Sequence, residues 1–292
     1  MARTPPCAIS KRVCFRRRYG QIALGGQIDG EVNLNRFMEA QVFLKDMISN
    51  VIRIQQSRAL PRVFTVTEFD TDGVRFEATN MVERHRIVHH GDETEYTRAM
   101  LAALRPDDVL FDIGANVGLV AIHAARLCRT IAFEPDPGFA SRLAVNVQLN
   151  PDVDVRVLNV AVADKDSTVK LYTDGSGGNS PSLVHQRGEE GVVEVPARSL
   201  DSLLANAEVP LPTVLKLDIE GAEILAIQGA AGLFASERTP RALFVEVHDD
   251  LLPAFGSSAD QVLQLLGDVG YTKLSYSARR AGQQHLILER TS

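Results

Sequence analysis

The apolar and polar positions of this chain change rhythm near residue 109. Ahead of it, Phe43, Met47, Val51 and Ile54 fall three or four apart, with Phe37 and Val42 before them, which predicts a helix over 36–58 that Pro61 ends. VFTVTEF and VRFEATN then alternate apolar and polar residues around Asp70-Thr71-Asp72-Gly73, a hairpin pattern. A histidine-bearing stretch, RHRIVHHGDETEY, leads into helix-like TRAMLAAL, and Pro106, Asp107 and Asp108 make a turn. From Val109 onward short apolar runs alternate with helical patterns. The strand candidates are VLFDIG, TIAFEP, VRVLNVAV, LKLDIE, ALFVEVH, KLSYSA and HLILER; the helix candidates between them are LVAIHAARL, GFASRLAVNVQLN, AEILAIQGAAGLF and ADQVLQLLGDVG. Continuous apolar strands alternating with helices predict an α/β fold, a mostly parallel sheet covered on both faces. One insertion breaks the alternation. STVKLYTD and VVEVPARS read as strands joined by a Gly/Ser-rich loop over 174–191, either a lid near a site or a plain connector.

The first of these strands carries the chemistry. VLFDIGANVG is a buried strand that turns tightly through Gly114, Asn116 and Gly118 into a helix, a turn suited to a nucleotide-like cofactor. A nicotinamide fingerprint would read GxGxxG at this point. Here Asp112 stands ahead of the first glycine, where a carboxylate sits badly beside a pyrophosphate and well beside a sulfonium. Glu134, closing the second strand, is placed to take the ribose hydroxyls of an adenosine. The pair favours S-adenosylmethionine over NAD. Ala161, Val162 and Asp164, after the third strand, fall where such folds border the adenine, although Ala-Val-Ala reads equally well as core.

Two later strands supply the other half of a site. Lys216, Asp218 and Glu220 share one phase of LKLDIE, and Glu246 and His248 share one phase of ALFVEVH. Polar side chains on central strands are costly without partners. Ligands of open α/β sheets bind beyond the carboxyl ends of the strands, where Asp218, Glu220 and His248 would emerge. A hydroxyl acceptor gains from a base; Asp218 leads as the orienting or basic group, with His248 close behind and Glu220 beside them. Glu223 fits the first turn of the following helix. No resident metal is expected, although Asp218, Glu220 and Glu246 could hold magnesium against a diol. His89 and His90 could border the acceptor, His123 reads as a packed helix residue, and His185 stays unassigned.

Composition narrows this further. A net charge of −6 argues against a general nucleic-acid binder, and neither a (D/N)PP(Y/F) loop nor a Pro-Cys strand end is present in the core. No apolar run approaches the ~18–20 residues of a membrane span. Cys7, Cys14 and Cys128 show neither zinc spacing nor a disulfide pattern, so a cytoplasmic, reducing setting is expected. Residues 1–28 are Arg-rich without an acid before Asp29, a transit-like or simply disordered tail. The expected organisation is a basic tail over 1–35, a helix and hairpin over 36–92, and a catalytic domain over 93–292. The helix's apolar face is open between packing on the sheet, covering the site and pairing two copies as a homodimer.

The chain resembles the FkbM family of S-adenosylmethionine-dependent methyltransferases. The resemblance rests on VLFDIGANVGL, AFEPDP, NVAVADKD, VPARSLDSLL, KLDIEGAE and FVEVH, which run in that order through about two-thirds of the chain. It implies a Rossmann-like class I fold with seven strands, the last antiparallel. It also implies methylation of a hydroxyl on a sugar, polyketide or other small molecule, with KLDIEGAE lining the transfer crevice. In it Asp112, Gly114, Asn116 and Gly118 form the cofactor loop, Glu134 binds ribose, and Asp164 with its neighbours borders the adenine. The competing readings are an NAD(P)-dependent oxidoreductase and a catalytically silent cofactor-binding module.

Overall fold

The computed structural model describes residues 63–71, 73–88, 93–173, 180–186, 191–280 and 282–290, with side chains omitted over 275–280. The chain divides into Met1–Val51 and Ile52–Ser292, and every described residue belongs to the second unit. The helix expected over 36–58, the basic tail, His89, His90 and most of the Gly/Ser loop lie outside the described residues.

The strands expected after residue 109 form where the apolar runs lie. Seven of them, β3 (Val109–Ile113), β4 (Arg129–Phe133), β5 (Val155–Leu158), β9 (Val214–Leu217), β10 (Ala242–His248), β11 (Tyr271–Arg280) and β12 (Gln283–Arg290), make one sheet. Its order is β11-β12-β10-β9-β3-β4-β5. The pairs from β10 through β5 are parallel, and β12 runs antiparallel between β10 and β11. This is the mostly parallel, Rossmann-like sheet with an antiparallel last strand.

Strand phase decides which helices cover which face. Phe111, Ile113, Ile131, Phe133, Leu215, Leu217, Leu243 and Val245 point one way. They meet α5 (Leu200–Ala205), α6 (Glu223–Gln228), α7 (Ala231–Ala235) and α8 (Ala259–Asp268) through Leu203, Ile227, Phe234 and Leu266. The opposite phase, Leu110, Val214 and Phe244, packs with Met100 and Leu101 of α2 (Thr94–Ala103) and Ala124 of α3 (Leu119–Ala124). Each fully buried Phe or Leu contributes roughly 1.5–3 kcal/mol, so the two faces together dominate the stability.

The expected hairpin is present as β1 (Val63–Val66) and β2 (Val74–Glu77), and α1 (Met81–Val88) follows it. Val66, Val74, Phe76 and Ile87 pack with Ala121, Ile122 and Leu143, so the hairpin is part of the core on that face. The open edge of β2 is closed by side chains of α4 (Pro137–Gln148) and the turn after it. Asn146 Oδ1 accepts from Glu77 N at 2.9 Å, and Asn150 Oδ1 and Nδ2 bond Arg75 N and O at 2.9 and 2.8 Å. The helix starts where Asp136 accepts from the amides of Gly138 and Phe139 ahead of Pro137, a side-chain cap with proline at the first helical position. His123 is buried as expected, bonded through Nδ1 to Thr71 Oγ1 at 2.5 Å, and Cys128 is core.

The insertion forms a separate small sheet in the order β6 (Ala161–Val162), β8 (Gly191–Arg198), β7 (Ser167–Thr173). Two helices fall outside the expected set. In α1 the helix takes up the start of the histidine-bearing stretch, and α5 is the LDSLL segment. Conversely, AEILAIQGAAGLF forms two helices that meet near Gly229, where a Cβ would sit 2.0 Å from the Ala163 carbonyl oxygen.

Candidate active site

A cleft of about 640 Å³, open at its mouth, lies beyond the carboxyl ends of β3, β4 and β9. Gly114, Asn116, Glu134, Ala161 and Val162 line it together with Asp218 and Glu220. Its remaining walls are mostly apolar, from Phe133, Val160, Leu171 and Ile219. Seven of the eleven residues expected at the site thus share one cavity.

The turn after β3 is shaped by two needs. Gly114 has φ +86°, and a Cβ on it would lie 1.9 Å from the Asp218 carbonyl oxygen, so glycine lets β3 and β9 touch at the mouth of the cleft. Asn116 takes φ +52°, a left-handed conformation that asparagine tolerates better than most residues. Its amide donates to Glu134 Oε2 at 2.7 Å, while Asp136 N donates to Oε1 at 2.9 Å. Asn159 holds the strand end from the other side, donating to the carbonyls of Glu134 and Pro135 at 2.8 and 2.9 Å. Glu134 is almost fully buried, and burial pushes its carboxyl up to about 7 despite those two amides.

Gly118 stands outside the cleft. A Cβ there would come 2.2 Å from Leu143 Cδ1, so this glycine packs α3 against α4. Asp164 also lies off the cleft, paired with Lys165 at 3.8 Å. Asp112 is fully buried behind the loop, and Lys216 Nζ stands 3.2 Å from its Oδ1. The same ammonium reaches Asp218 Oδ2 at 3.3 Å and the Gly114 carbonyl at 3.4 Å. Burial alone would lower the pKa of this lysine; Asp112 and Asp218 reverse that and hold it charged.

His248 lies deeper, 2% exposed, and does not line the cleft. Its Nδ1 is 2.9 Å from Glu223 Oε1, and its Nε2 is 3.4 Å from Glu220 Oε2, 3.6 Å from Glu246 Oε1 and 4.0 Å from Asp218 Oδ1. Burial opposes a charge on this ring, but Glu223, Glu220 and Asp218 outweigh it and raise its pKa to about 10. Burial also pushes Glu246 up to about 8, with the Asp218 charge adding to it. Burial would raise Asp218 too, yet Lys216 and His248 hold it below the ordinary carboxylate range. Glu220 takes φ +52°, unusual for its type, and accepts on its backbone oxygen from Ser182 Oγ at 3.2 Å. Glu223, expected in the first turn of α6, is there, and it bonds both Gly221 N and His248.

Several site residues went unread in the sequence. Ser180, Pro181, Ser182 and Leu183, from the described end of the Gly/Ser loop, line the cleft. His285 of β12 sits directly opposite Glu246 and bonds its Oε2 at 3.2 Å, and Tyr96 stacks on that imidazole at 4.1 Å. The only sequence signal for His285 is a histidine opening an apolar strand.

The Methyltransferase FkbM domain model matches residues 112–273, from the glycine turn into β11 and more than half of the chain. This chain belongs to the FkbM methyltransferase family. It is therefore an S-adenosylmethionine-dependent methyltransferase, and the oxidoreductase reading falls away. The family member is 28% identical over 188 residues to the hexuronic acid methyltransferase AglP of Haloferax volcanii, covering 64% of this chain and 76% of that one. It is 25% identical over 197 residues to the 2-O-methyltransferase NoeI of Sinorhizobium fredii, covering 56% of this chain and 79% of that one. Among solved structures, a precorrin-6y C5,15-methyltransferase from Geobacter metallireducens is similar with a TM-score of 0.41 and 15% identity, over 68% of this chain and 89% of that one.

The cleft fits the cofactor. Its walls are mostly apolar with a few polar groups, and its polar floor is the buried carboxylate of Glu134.

Proposed function

We propose that this enzyme transfers a methyl group to a hydroxyl of a sugar, with the donor held at the Glu134 end of the cleft and the acceptor at the Asp218 end. The observation that carries this reading is the joining of those two ends in one cavity, 640 Å³ in all. The activities in the names of AglP and NoeI support a carbohydrate as the acceptor class.

In this reading Glu134 takes the ribose hydroxyls, Gly114 and Asn116 shape the loop beside them, and Ala161 and Val162 border the base. Asp112 acts from behind through Lys216, Gly118 fixes the helix, and Asp164 marks the rim of the adenine side. When bound, S-adenosylmethionine supplies an electrophilic methyl group on a sulfonium. Asp218, 27% exposed on its side chain, accepts a hydrogen bond from the acceptor hydroxyl and so aims an oxygen lone pair. Glu220 flanks it, and His248 acts through the carboxylates that surround it. The apolar walls keep water from the reacting pair. Residues 93–292 form the catalytic domain, with the hairpin of the 36–92 extension packed on it. The buried thiol of Cys128 suits a cytoplasmic setting. Among the described residues no helix is long and apolar enough to cross a membrane.

Calorimetry on the full chain tests the donor end. S-adenosylmethionine should bind at micromolar concentration, and Glu134→Ala should weaken it by tenfold or more; tighter binding of NAD sinks the reading. For the acceptor end, labelled cofactor is supplied with a panel of hexuronosides, hexosides, phenols and peptides. Label should pass to a sugar hydroxyl and fall at least a hundredfold in Asp218→Asn. Label on phenols or peptides alone, or transfer unchanged in that variant, overturns the assignment.

A further inference from the structure

The polar residues of the β9 and β10 strand ends converge on one another. Asp218 Oδ1, Glu246 Oε1 and His248 Nε2 lie within 4.8 Å of one another, and Glu220 Oε2 approaches the same nitrogen at 3.4 Å. Ligands ~2.0–2.2 Å from a shared ion stand ~3.0–4.4 Å apart, and His248 Nε2 lies 3.6 Å from Glu246 Oε1 and 4.0 Å from Asp218 Oδ1. Each group has its second polar atom committed elsewhere. Asp218 Oδ2 faces Lys216 at 3.3 Å, Glu246 Oε2 faces His285 at 3.2 Å, and His248 Nδ1 faces Glu223 at 2.9 Å. Tyr96 stacks nearly parallel on His285, 5° between the rings, so even that outer partner is fixed.

The histidine is the deciding member. It is 98% buried, and Nε2 has no hydrogen-bond partner although three carboxylates face it. The Glu223 carboxylate holds the Nδ1 proton as a hydrogen bond, so a cation that displaces the Nε2 proton of the charged ring meets Nε2 as the ligating atom, the arrangement seen around metal-bound imidazoles. A carboxylate cluster alone is common at surfaces. A buried imidazole aimed into one, with its other nitrogen locked, is not.

We propose that Asp218, Glu246 and His248, with Glu220 beside them, bind a divalent cation. Two carboxylates and one imidazole suit an ion of the Mn²⁺ type better than a thiophilic one. Asp218 is shared with the cleft, so the ion stands at the acceptor end. Resting on the sugar-hydroxyl reading above, its role is to seat the acceptor hydroxyl and polarise its O–H bond. Binding of the ion itself is independent of that reading.

The test uses the full chain, stripped with EDTA, desalted and free of cofactor. Mn²⁺ is titrated in, and the free ion is followed by its paramagnetic resonance signal. One site per chain is expected, weakened at least tenfold in Glu246→Gln and in His248→Ala. Glu223→Gln, a positioning change, should weaken it less while leaving one site. Melting curves and S-adenosylmethionine binding at the Glu134 end report whether each variant is folded, and Glu246→Gln preserves shape if His248→Ala does not fold. Absence of Mn²⁺ binding up to 1 mM, or equal binding by folded Glu246→Gln, overturns the proposal. In that event intact cofactor binding leaves the methyltransferase reading standing; Mn²⁺ binding without cofactor binding would leave the ion site standing alone.

Discussion

Glu134 shows how one side chain joins sequence, burial and function. Its carboxyl is the polar floor of an apolar cleft, raised to about 7 because burial outweighs two amide hydrogen bonds, with Asp136 and Asp112 the nearby acids. The native protein then keeps a proton between about pH 4.5 and 7 that the unfolded chain has lost, so this group makes the cofactor-free enzyme less stable as pH rises through that window. In the proposed reading, ribose binding uses the ionised form as acceptor. Affinity for S-adenosylmethionine should rise as pH goes from 6 to 8, and Glu134→Gln should bind weakly with a flat profile; a steep profile in that variant would contradict the assignment. Gly114 makes a second residue-level case. Alanine there meets the Asp218 carbonyl and a positive φ together, so Gly114→Ala should lose about 2–4 kcal/mol in urea unfolding and lower turnover with it. Both positions were legible in the sequence by type and spacing. The reason for the second was not: the glycine next to Asp112 was read as room for a ligand, and it also makes room for a neighbouring strand.

At the level of elements, the apolar runs marked the strands closely because buried parallel strands have little choice of composition. β3, β4 and β10 sit within a residue or two of VLFDIG, TIAFEP and ALFVEVH, and β9 stops at Leu217, three residues short of the end of LKLDIE. The LDSLL segment was legible only as a family motif. Its meaning is local: Asp201 accepts from Gly232 N and Leu233 N at 2.7 and 2.8 Å, capping α7 from a helix thirty residues earlier. What the sequence concealed was pairing between distant elements. Glu246 and His285 are 39 positions apart, and nothing local sets the register that places them opposite. The asparagines that close the β2 edge are likewise invisible before the helix is docked. Asn146→Ala leaves Glu77 N–H and the Val117 carbonyl without their partner and should cost roughly 2–4 kcal/mol. Hydrogen exchange should quicken first in β1 and β2. Uniform loss of protection across the sheet would show that the hairpin is no separate unit.

Across the central strands β3, β9 and β10, one sheet face is apolar throughout and the other turns polar only near the carboxyl ends. Asp112 pairs in register with Lys216, and Glu246 with His285, so charge crosses the sheet as a band just beneath the cleft. The proposed donor and acceptor ends are therefore two ends of one electrostatic structure. Lys216 is its middle, within 3.2–3.4 Å of Asp112, Asp218 and the Gly114 carbonyl. Lys216→Met should strand two carboxylates and weaken cofactor affinity and turnover together, tenfold or more in each; loss of one alone would show the two ends to be independent. The lysine also has a bearing on redesign. Retargeting the enzyme to a new acceptor by altering Asp218 would unbalance the ammonium that steadies the donor loop, and donor affinity would drift with every change. Diversification is freer at Pro181 and Leu183, which touch the cleft from the insertion and bear none of that charge, so new acceptors can be explored there without disturbing the proposed donor site.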